Sequence, residues 1–189
     1  MKKRDTRYVA LLRGINVGGN RQVPMAELRS LCAEIGWRDV ETYIQSGNVV
    51  FTSSASPVAL QTEIERAIER QFGHSISVIV RSAAQWPYYI KGNPFPDAST
   101  TEPNAVMLAL SKLPARPDAV TLLRERAVNG ESVAQVGDAL WVHYSRGVAK
   151  SKLSPGLWDR LAGSPVTARN WRTVIKIGEM LAASIPGAR

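Results

Sequence analysis

Three glycines, bracketed by two arginines, stand between a predicted strand and a predicted helix near the start of the chain. The stretch LLRGINVGGNRQVPMAELRSL, from Leu11 to Leu31, contains Arg13, Gly14, Gly18, Gly19 and Arg21. Glycines let backbone N–H groups approach a ligand closely, and a helix N-terminus attracts anions. The loop fits neither standard nucleotide fingerprint. The pattern predicts an anion-binding loop; the alternative is that the glycines satisfy turn geometry.

A second group of basic residues lies in TARNWRTVIKIGEML near the end of the sequence. Its spacing predicts a helix from Arg169 to about Ala183, with Arg169, Arg172 and Lys176 within about 60° of one another on one face. Cations in a first turn oppose the helix dipole unless an anion compensates them. The segment is therefore either half of an anion site or an ordinary solvated face.

The segment YSRGVAKSKLS, Tyr144 to Ser154, supplies a third cationic stretch with two hydroxyl groups. Ser151 or Ser154 is expected to cap the next helix, because serine favours the N-cap position. If the three cationic stretches converge, they form one basic cleft between the two halves of the chain.

Nucleophilic and metal chemistry find little support in the sequence. Cys32 falls on the apolar stripe of its predicted helix, which is typical of a packing thiol. His74 and His143 are scattered and lack metal-ligand spacing, so no metal or cofactor is expected. Tyr43 and Phe51 could stack RNA bases, but their strands lack the aromatic string of RNA-recognition modules.

Composition bounds the class of protein. The chain has 189 residues, a net charge of +8 and 44% hydrophobic residues, which is an ordinary globular composition. From Ser145 to Arg189, eight basic residues face two acidic ones, so this segment holds most of the imbalance. A basic surface concentrates anions. One cysteine precludes an intramolecular disulfide, and neither a signal-peptide core nor a membrane span is evident, so a cytoplasmic protein of bacterial style is expected.

Hydrophobic periodicity predicts the order of elements. The first half reads strand, helix, strand, strand, helix, strand, which is the split βαβ, or ferredoxin-like, pattern. Its predicted elements are Tyr8–Arg13, Met25–Ile35, Val40–Gln45, Val49–Thr52, Pro57–Phe72 and Ile76–Val80. Prolines and aromatic residues then mark a packed connection over 83–103 without regular structure.

The second half echoes the first but shows no clear final strand. Its predicted elements are Ala105–Leu110, Pro117–Ala127, Ser132–Val136, Ala139–Tyr144, Leu153–Leu161 and the helix from Arg169. The predicted fold class is α+β, with two tandem ferredoxin-like halves in one compact unit: 1–82, the connection 83–103, and a modified half with an extra helix, 104–189.

Five motifs carry a resemblance to a known family. They are YVALLRGINVGG, MAELR, TYIQSGNVVF, NPF and TARNWRTV, in that order, from Tyr8 to about Leu181. Together they resemble the bacterial family catalogued as domain of unknown function 1697. The resemblance implies an α+β protein of two ferredoxin-like halves and transfers no catalytic residue.

The sequence thus predicts a protein that binds an anionic, phosphate-bearing ligand in a basic groove between the halves. The predicted anion-binding residues are Arg13, Asn16, Gly18, Gly19, Arg169, Asn170 and Arg172. Three alternatives stay open. One is a non-sequence-specific nucleic-acid binder, another is an enzyme acting on a phosphorylated metabolite, and the third is a scaffold without a small ligand. An enzyme would need a base, for which Tyr43, His143 and Lys152 are the nominees.

Overall fold

Two successive runs of strand, helix, strand, strand, helix, strand make up most of the computed structural model, which describes residues 5–183. The first run consists of β1 Thr6–Leu12, α1 Met25–Glu34, β2 Arg38–Tyr43, β3 Asn48–Ser53, α2 Pro57–Phe72 and β4 Val78–Ser82. Two short helices follow, α3 Trp86–Lys91 and α4 Pro96–Thr101. The second run consists of β5 Val106–Ser111, α5 Ala119–Arg126, β6 Glu131–Val136, β7 Ala139–Tyr144, a 3-10 turn Val148–Lys150, α6 Pro155–Ala162 and β8 Val166–Asn170; α7 Trp171–Ala182 ends the described chain.

The first sheet is antiparallel, with the strand order β2-β3-β1-β4. Strand β1 is central: Tyr8 lies opposite Phe51 of β3 and Ser82 of β4. Its last five residues are buried on both faces, as its apolar run predicts. Alternate residues of β1, β3 and β4 form one core with Leu28 of α1 and Ile64 of α2, because successive strand residues point to opposite faces.

Helix α2 follows its sequence signals closely and is confirmed at both ends. The Ser56 side chain accepts a hydrogen bond from the Ala59 N–H, and Pro57 occupies the first turn. Gly73 ends the helix with φ 70°, in the left-handed region that glycine enters at little cost. Leu60, Ile64 and Ile68 are buried on the same stripe.

A tight turn joins β2 to β3, and Gly47 in it has φ 75°. The Gly47 carbonyl accepts a hydrogen bond of 2.9 Å from the Leu12 N–H. A Cβ on Gly47 would lie 2.7 Å from Leu12 Cβ and 2.7 Å from Ile15 Cδ1, which is closer than real side chains approach. Glycine is therefore required here both by backbone conformation and by packing.

The second sheet has the strand order β6-β7-β5-β8 and is also antiparallel. Strand β7 matches its predicted bounds, and its Leu140, Val142 and Tyr144 join one core with Leu123 of α5 and Trp158 of α6. Ser154 caps α6 by accepting a hydrogen bond from Leu157 N, as expected for one of the two serines.

The predicted absence of a final strand in the second half is wrong. Residues Val166–Asn170 form β8, which pairs along β5 from Ser111 to Met107. The predicted helix from Arg169 accordingly begins at Trp171. Partner hydrogen bonds from β5, which is distant in sequence, stabilise the extended backbone against the local helical periodicity.

The connection 83–103 is more regular than its prolines predict. Helix α3 contains Pro87 in its first turn, and α4 begins with Pro96 at its first position. Proline is tolerated there because the first-turn N–H groups have no partner within the helix. The prolines thus begin short helices in this segment.

The described chain divides into two compact units. The first runs to Pro87 and takes in the chain from Ile177 onward, and the second is Tyr88–Lys176. Helix α7 therefore begins in the second unit and ends in the first. Between residues 5 and 183 no helix combines the length and apolar character needed to cross a membrane.

Candidate functional site

The glycine-containing loop of the first unit is a small exposed hairpin. Asn20 N–H donates to Val17 O at 3.1 Å, and Asn16 N–H donates to Arg21 O at 3.2 Å. Gly18 and Gly19, at the tip, have φ 59° and 77°. A two-residue turn with both φ values positive is the type I′ hairpin turn, which glycine favours. Turn geometry by itself therefore accounts for both glycines.

Asn16 serves the same loop with its side chain. The Nδ2 group donates to Val23 O at 3.0 Å and to Gln45 O at 2.8 Å, while Oδ1 accepts from Val23 N–H at 2.8 Å. These bonds tie the loop to the β2–β3 turn. Arg13 is half-buried, and its backbone N–H donates to Ser77 O at 3.0 Å.

Arg169 lies on strand β8, so the helix-dipole argument does not apply to it. Its side chain is buried, and Nη1 donates to Thr167 Oγ1 at 2.8 Å and to Ala168 O at 2.9 Å. Burial lowers the pKa of this guanidinium to about 10. The group contributes to the internal structure of the second unit.

Asn170 and Arg172 lie at the start of α7. Asn170 Oδ1 accepts the Thr173 N–H at 2.9 Å, which is the hydrogen bond of an N-cap. Arg172 is exposed in the first helical turn. The predicted anion-binding residues are divided between the two units. The first unit contains Arg13, Asn16, Gly18 and Gly19, and the second contains Arg169, Asn170 and Arg172. That both groups bind one ligand stays a prediction.

The second unit contains a basic recess that the sequence analysis identified only in part. It is an open cavity of about 350 Å³ lined by Arg126, Val128, Lys152, Ser154, Leu157 and Arg160. Arg126 is the last residue of α5, Lys152 follows the 3-10 turn, and Arg160 lies on α6. Three cations from three different elements thus face one space.

Among residues 5–183, no carboxylate forms an ion pair with any of these three cations. Two acidic side chains of the same unit, Glu131 and Asp159, are engaged in hydrogen bonds elsewhere. Glu131 accepts hydrogen bonds from the Ser151 hydroxyl and from the Asn129 N–H, and Asp159 accepts the Val166 N–H at 2.8 Å. Burial alone would raise the pKa of Glu131, but these hydrogen bonds outweigh it and lower the pKa. Glu131 therefore stays ionised and bound to its own loop.

Ser154 adds a hydroxyl donor to the recess. Its Oγ accepts the Leu157 N–H at 3.3 Å, and that bond leaves the hydroxyl hydrogen available to donate. The same end of α6 carries the positive end of the helix dipole. The basic recess therefore combines three full positive charges, a hydroxyl donor and a partial positive charge.

Cys32 and His143, which the sequence analysis considered for chemistry, lie outside the recess. Burial raises the pKa of Cys32 to about 12, as fits its predicted packing role. His143 Nε2 lies 3.3 Å from Glu102 Oε2, and its ring lies 6.0 Å from that of Phe95. In the part of the chain that the structure describes, no three His, Cys, Asp or Glu side chains are placed to hold a metal.

The sequence motifs and the fold agree with a known family. Residues 6–141 match the family described as protein of unknown function (DUF1697), and the chain belongs to it. Among solved structures, the chain is similar to the conserved bacterial protein SP0830 from Streptococcus pneumoniae. The two are 28% identical with a TM-score of 0.73, and the match covers 94% of this chain and 99% of that one. No curated protein matches the chain.

Proposed function

We propose that the protein binds an anionic, phosphate-bearing ligand in the basic recess of its second unit. One observation carries the proposal: Arg126, Lys152 and Arg160 line the same cavity without an ion-pair partner among the described residues. Like charges that line one cavity repel one another. A bound anion reverses that unfavourable term, since each cation then meets an opposite charge.

The charge of the whole second unit supports the same conclusion. Residues 88–176 contain twelve Lys and Arg against seven Asp and Glu, so this unit holds +5 of the total of +8. Such an excess raises the local concentration of anions and the rate at which they arrive. Arginine and lysine at the recess then supply charge-assisted hydrogen bonds to phosphate oxygens.

The seven anion-binding residues predicted from sequence carry less weight than the recess. Asn16 and Asn170 already use their side chains to hold a loop and to cap a helix, and Arg169 is buried. Arg172, which is exposed in the first turn of α7, remains the member of the set best suited to meet a ligand.

We also infer that both units are ferredoxin-like. The β-α-β-β-α-β order with the sheet orders β4-β1-β3-β2 and β8-β5-β7-β6 supports this assignment. In each unit the two long helices pack on alternate residues of the sheet, which fits helices segregated to one face.

Titration calorimetry with inorganic phosphate and with a ten-nucleotide single-stranded DNA tests the proposed function. Inorganic phosphate is expected to bind the native protein, and the DNA tests the nucleic-acid alternative. The triple variant Arg126→Gln, Lys152→Gln, Arg160→Gln should lose that binding while keeping its circular dichroism spectrum. Lys91→Gln is the matched control, because Lys91 is an exposed cation of the same unit outside the recess.

Two results would contradict the proposal: no binding of either anion, or binding that the triple variant retains in full. A salt titration separates the nucleic-acid alternative. If the DNA binds with a log-affinity slope of several units against log salt while phosphate does not bind, then the surface is a nucleic-acid backbone site and not a small-ligand site.

A further inference from the structure

We infer that the basic recess selects a terminal phosphate monoester on an organic molecule over a phosphodiester; this inference rests on the proposed function. The donors are grouped around one cavity. Arg126, Lys152 and Arg160 come from separate parts of the chain, and Ser154 lines the same cavity. A terminal phosphate carries a charge of about −1.5 to −2 at neutral pH and three acceptor oxygens, so it can meet all of these donors at once.

A phosphodiester matches the same set less well. It carries a single negative charge and only two unesterified oxygens, so two of the three recess charges stay uncompensated, against about one for a dianionic monoester. The volume of about 350 Å³ also lies at the small end of ligand pockets, which suits one compact group and a small organic remainder. An extended nucleic-acid strand requires phosphate contacts spread along its backbone.

Two apolar side chains at the same cavity indicate where the organic part lies. Val128 is 66% exposed, and Leu157 is half-buried beside it. An organic group that covers Val128 removes apolar surface from water, which inorganic phosphate cannot do. The ligand is therefore a phosphorylated small molecule with an apolar or planar portion next to the phosphate.

The lining of the recess contains neither a histidine nor a carboxylate. Between pH 5 and pH 8 the phosphate of the ligand is therefore expected to be the main group whose charge changes at this site. The second pKa of a phosphate monoester is about 6, whereas a diester keeps one charge throughout. The preference for a monoester should therefore grow as the pH rises through 6.

Phenyl phosphate and methyl phenyl phosphate are suitable probes, since they differ by a single methyl ester. At pH 8, calorimetry should give phenyl phosphate at least about fivefold tighter binding than the diester, which is about 1 kcal/mol. It should also bind more tightly than inorganic phosphate. At pH 5 the two esters should bind within about twofold of each other.

Single variants separate the contributions of the polar donors and of the apolar side chain to ligand selectivity. Ser154→Ala and Arg160→Gln should reduce the monoester preference, Val128→Ser should bring phenyl phosphate closer to inorganic phosphate, and Lys91→Gln should change neither ratio. Equal binding of the two esters at pH 8, or a preference that does not change with pH, overturns the monoester assignment while anion binding stands. If neither ester, nor inorganic phosphate, nor DNA binds, the proposed function fails as well.

Discussion

Replacing Gly47 with alanine should destabilise the first unit more than the same change at any open glycine. The new Cβ would meet Leu12 Cβ and Ile15 Cδ1 at 2.7 Å each, and Ile15 Cγ1 at 3.3 Å. Leu12 is fully buried and Ile15 is 2% exposed, so neither has space to move away. An alanine in the left-handed region costs about 1–2 kcal/mol. Overpacking a dense core adds about 1–3 kcal/mol.

Gly73→Ala is the matched control. Gly73 has φ 70°, against 75° at Gly47, and it lies in the same unit. An added Cβ there meets nothing within 4 Å. Its cost should therefore be the backbone term of about 1–2 kcal/mol alone.

Urea unfolding followed by circular dichroism and tryptophan fluorescence measures both variants. Trp37 reports on the first unit, because it is buried and stacks on Phe51 with ring centroids 3.6 Å apart. The expected loss for Gly47→Ala is about 2–5 kcal/mol. If the two alanine variants lose stability equally, to within about 0.5 kcal/mol, then the packing argument is wrong and only the backbone conformation matters.

Further predictions follow from three side chains of known environment. Cys32 should resist thiol reagents in the native protein at pH 8 and react once unfolded, because a pKa of about 12 leaves a thiolate fraction of about 10⁻⁴; rapid labelling of native Cys32 contradicts its burial. The folded state keeps the Cys32 thiol neutral to higher pH than the unfolded state does. The stabilisation from this group is therefore fully present below the pKa of the unfolded thiol, and it should be lost as the pH rises toward the pKa of the folded thiol. Glu131 has a lowered pKa in the folded protein, so the stabilisation that it contributes is present above its unfolded pKa and should be lost as the pH falls. Ser151→Ala should weaken this loss of unfolding free energy at acid pH, measured by urea titration. If the acid dependence of stability is the same in the variant, the role assigned to the Ser151 hydrogen bond is wrong. Asn16→Asp keeps the acceptor but removes two donated hydrogen bonds, and should cost about 1–3 kcal/mol, whereas an exposed Asn20→Asp control should cost little.

Local signals predicted the elements whose ends are defined by nearby residues. Helix α2 has its serine cap, its proline and its terminal glycine within the segment itself, and its bounds match. Strand β8 could not be found in this way. Its five residues include the buried Arg169, and an arginine favours a surface assignment in any analysis of polarity patterns. Only pairing with β5 determines that it is extended.

The residues of the basic recess likewise divide into those that the sequence analysis identified and those that it missed. Lys152 and Ser154 stood in a segment that the sequence analysis singled out for its cations and hydroxyls. Arg126 and Arg160 did not, because each is one charged residue on an ordinary amphipathic helix. Packing of α5 and α6 over the same sheet brings them to that segment, and such distant juxtaposition has no signature in residue spacing.

The discontinuity of the first unit has a consequence for biosynthesis. Arg7 Nη2 donates a hydrogen bond of 3.0 Å to the carbonyl of Met180, which also belongs to that unit. A ribosome adds about 5–20 residues per second. Synthesis of the roughly 90 residues between Pro87 and Ile177 therefore takes about 5–20 s. During that interval the nascent chain holds an incomplete first unit, while Tyr88–Lys176, an uninterrupted stretch, can acquire all its own contacts before the earlier-made portion acquires its last ones.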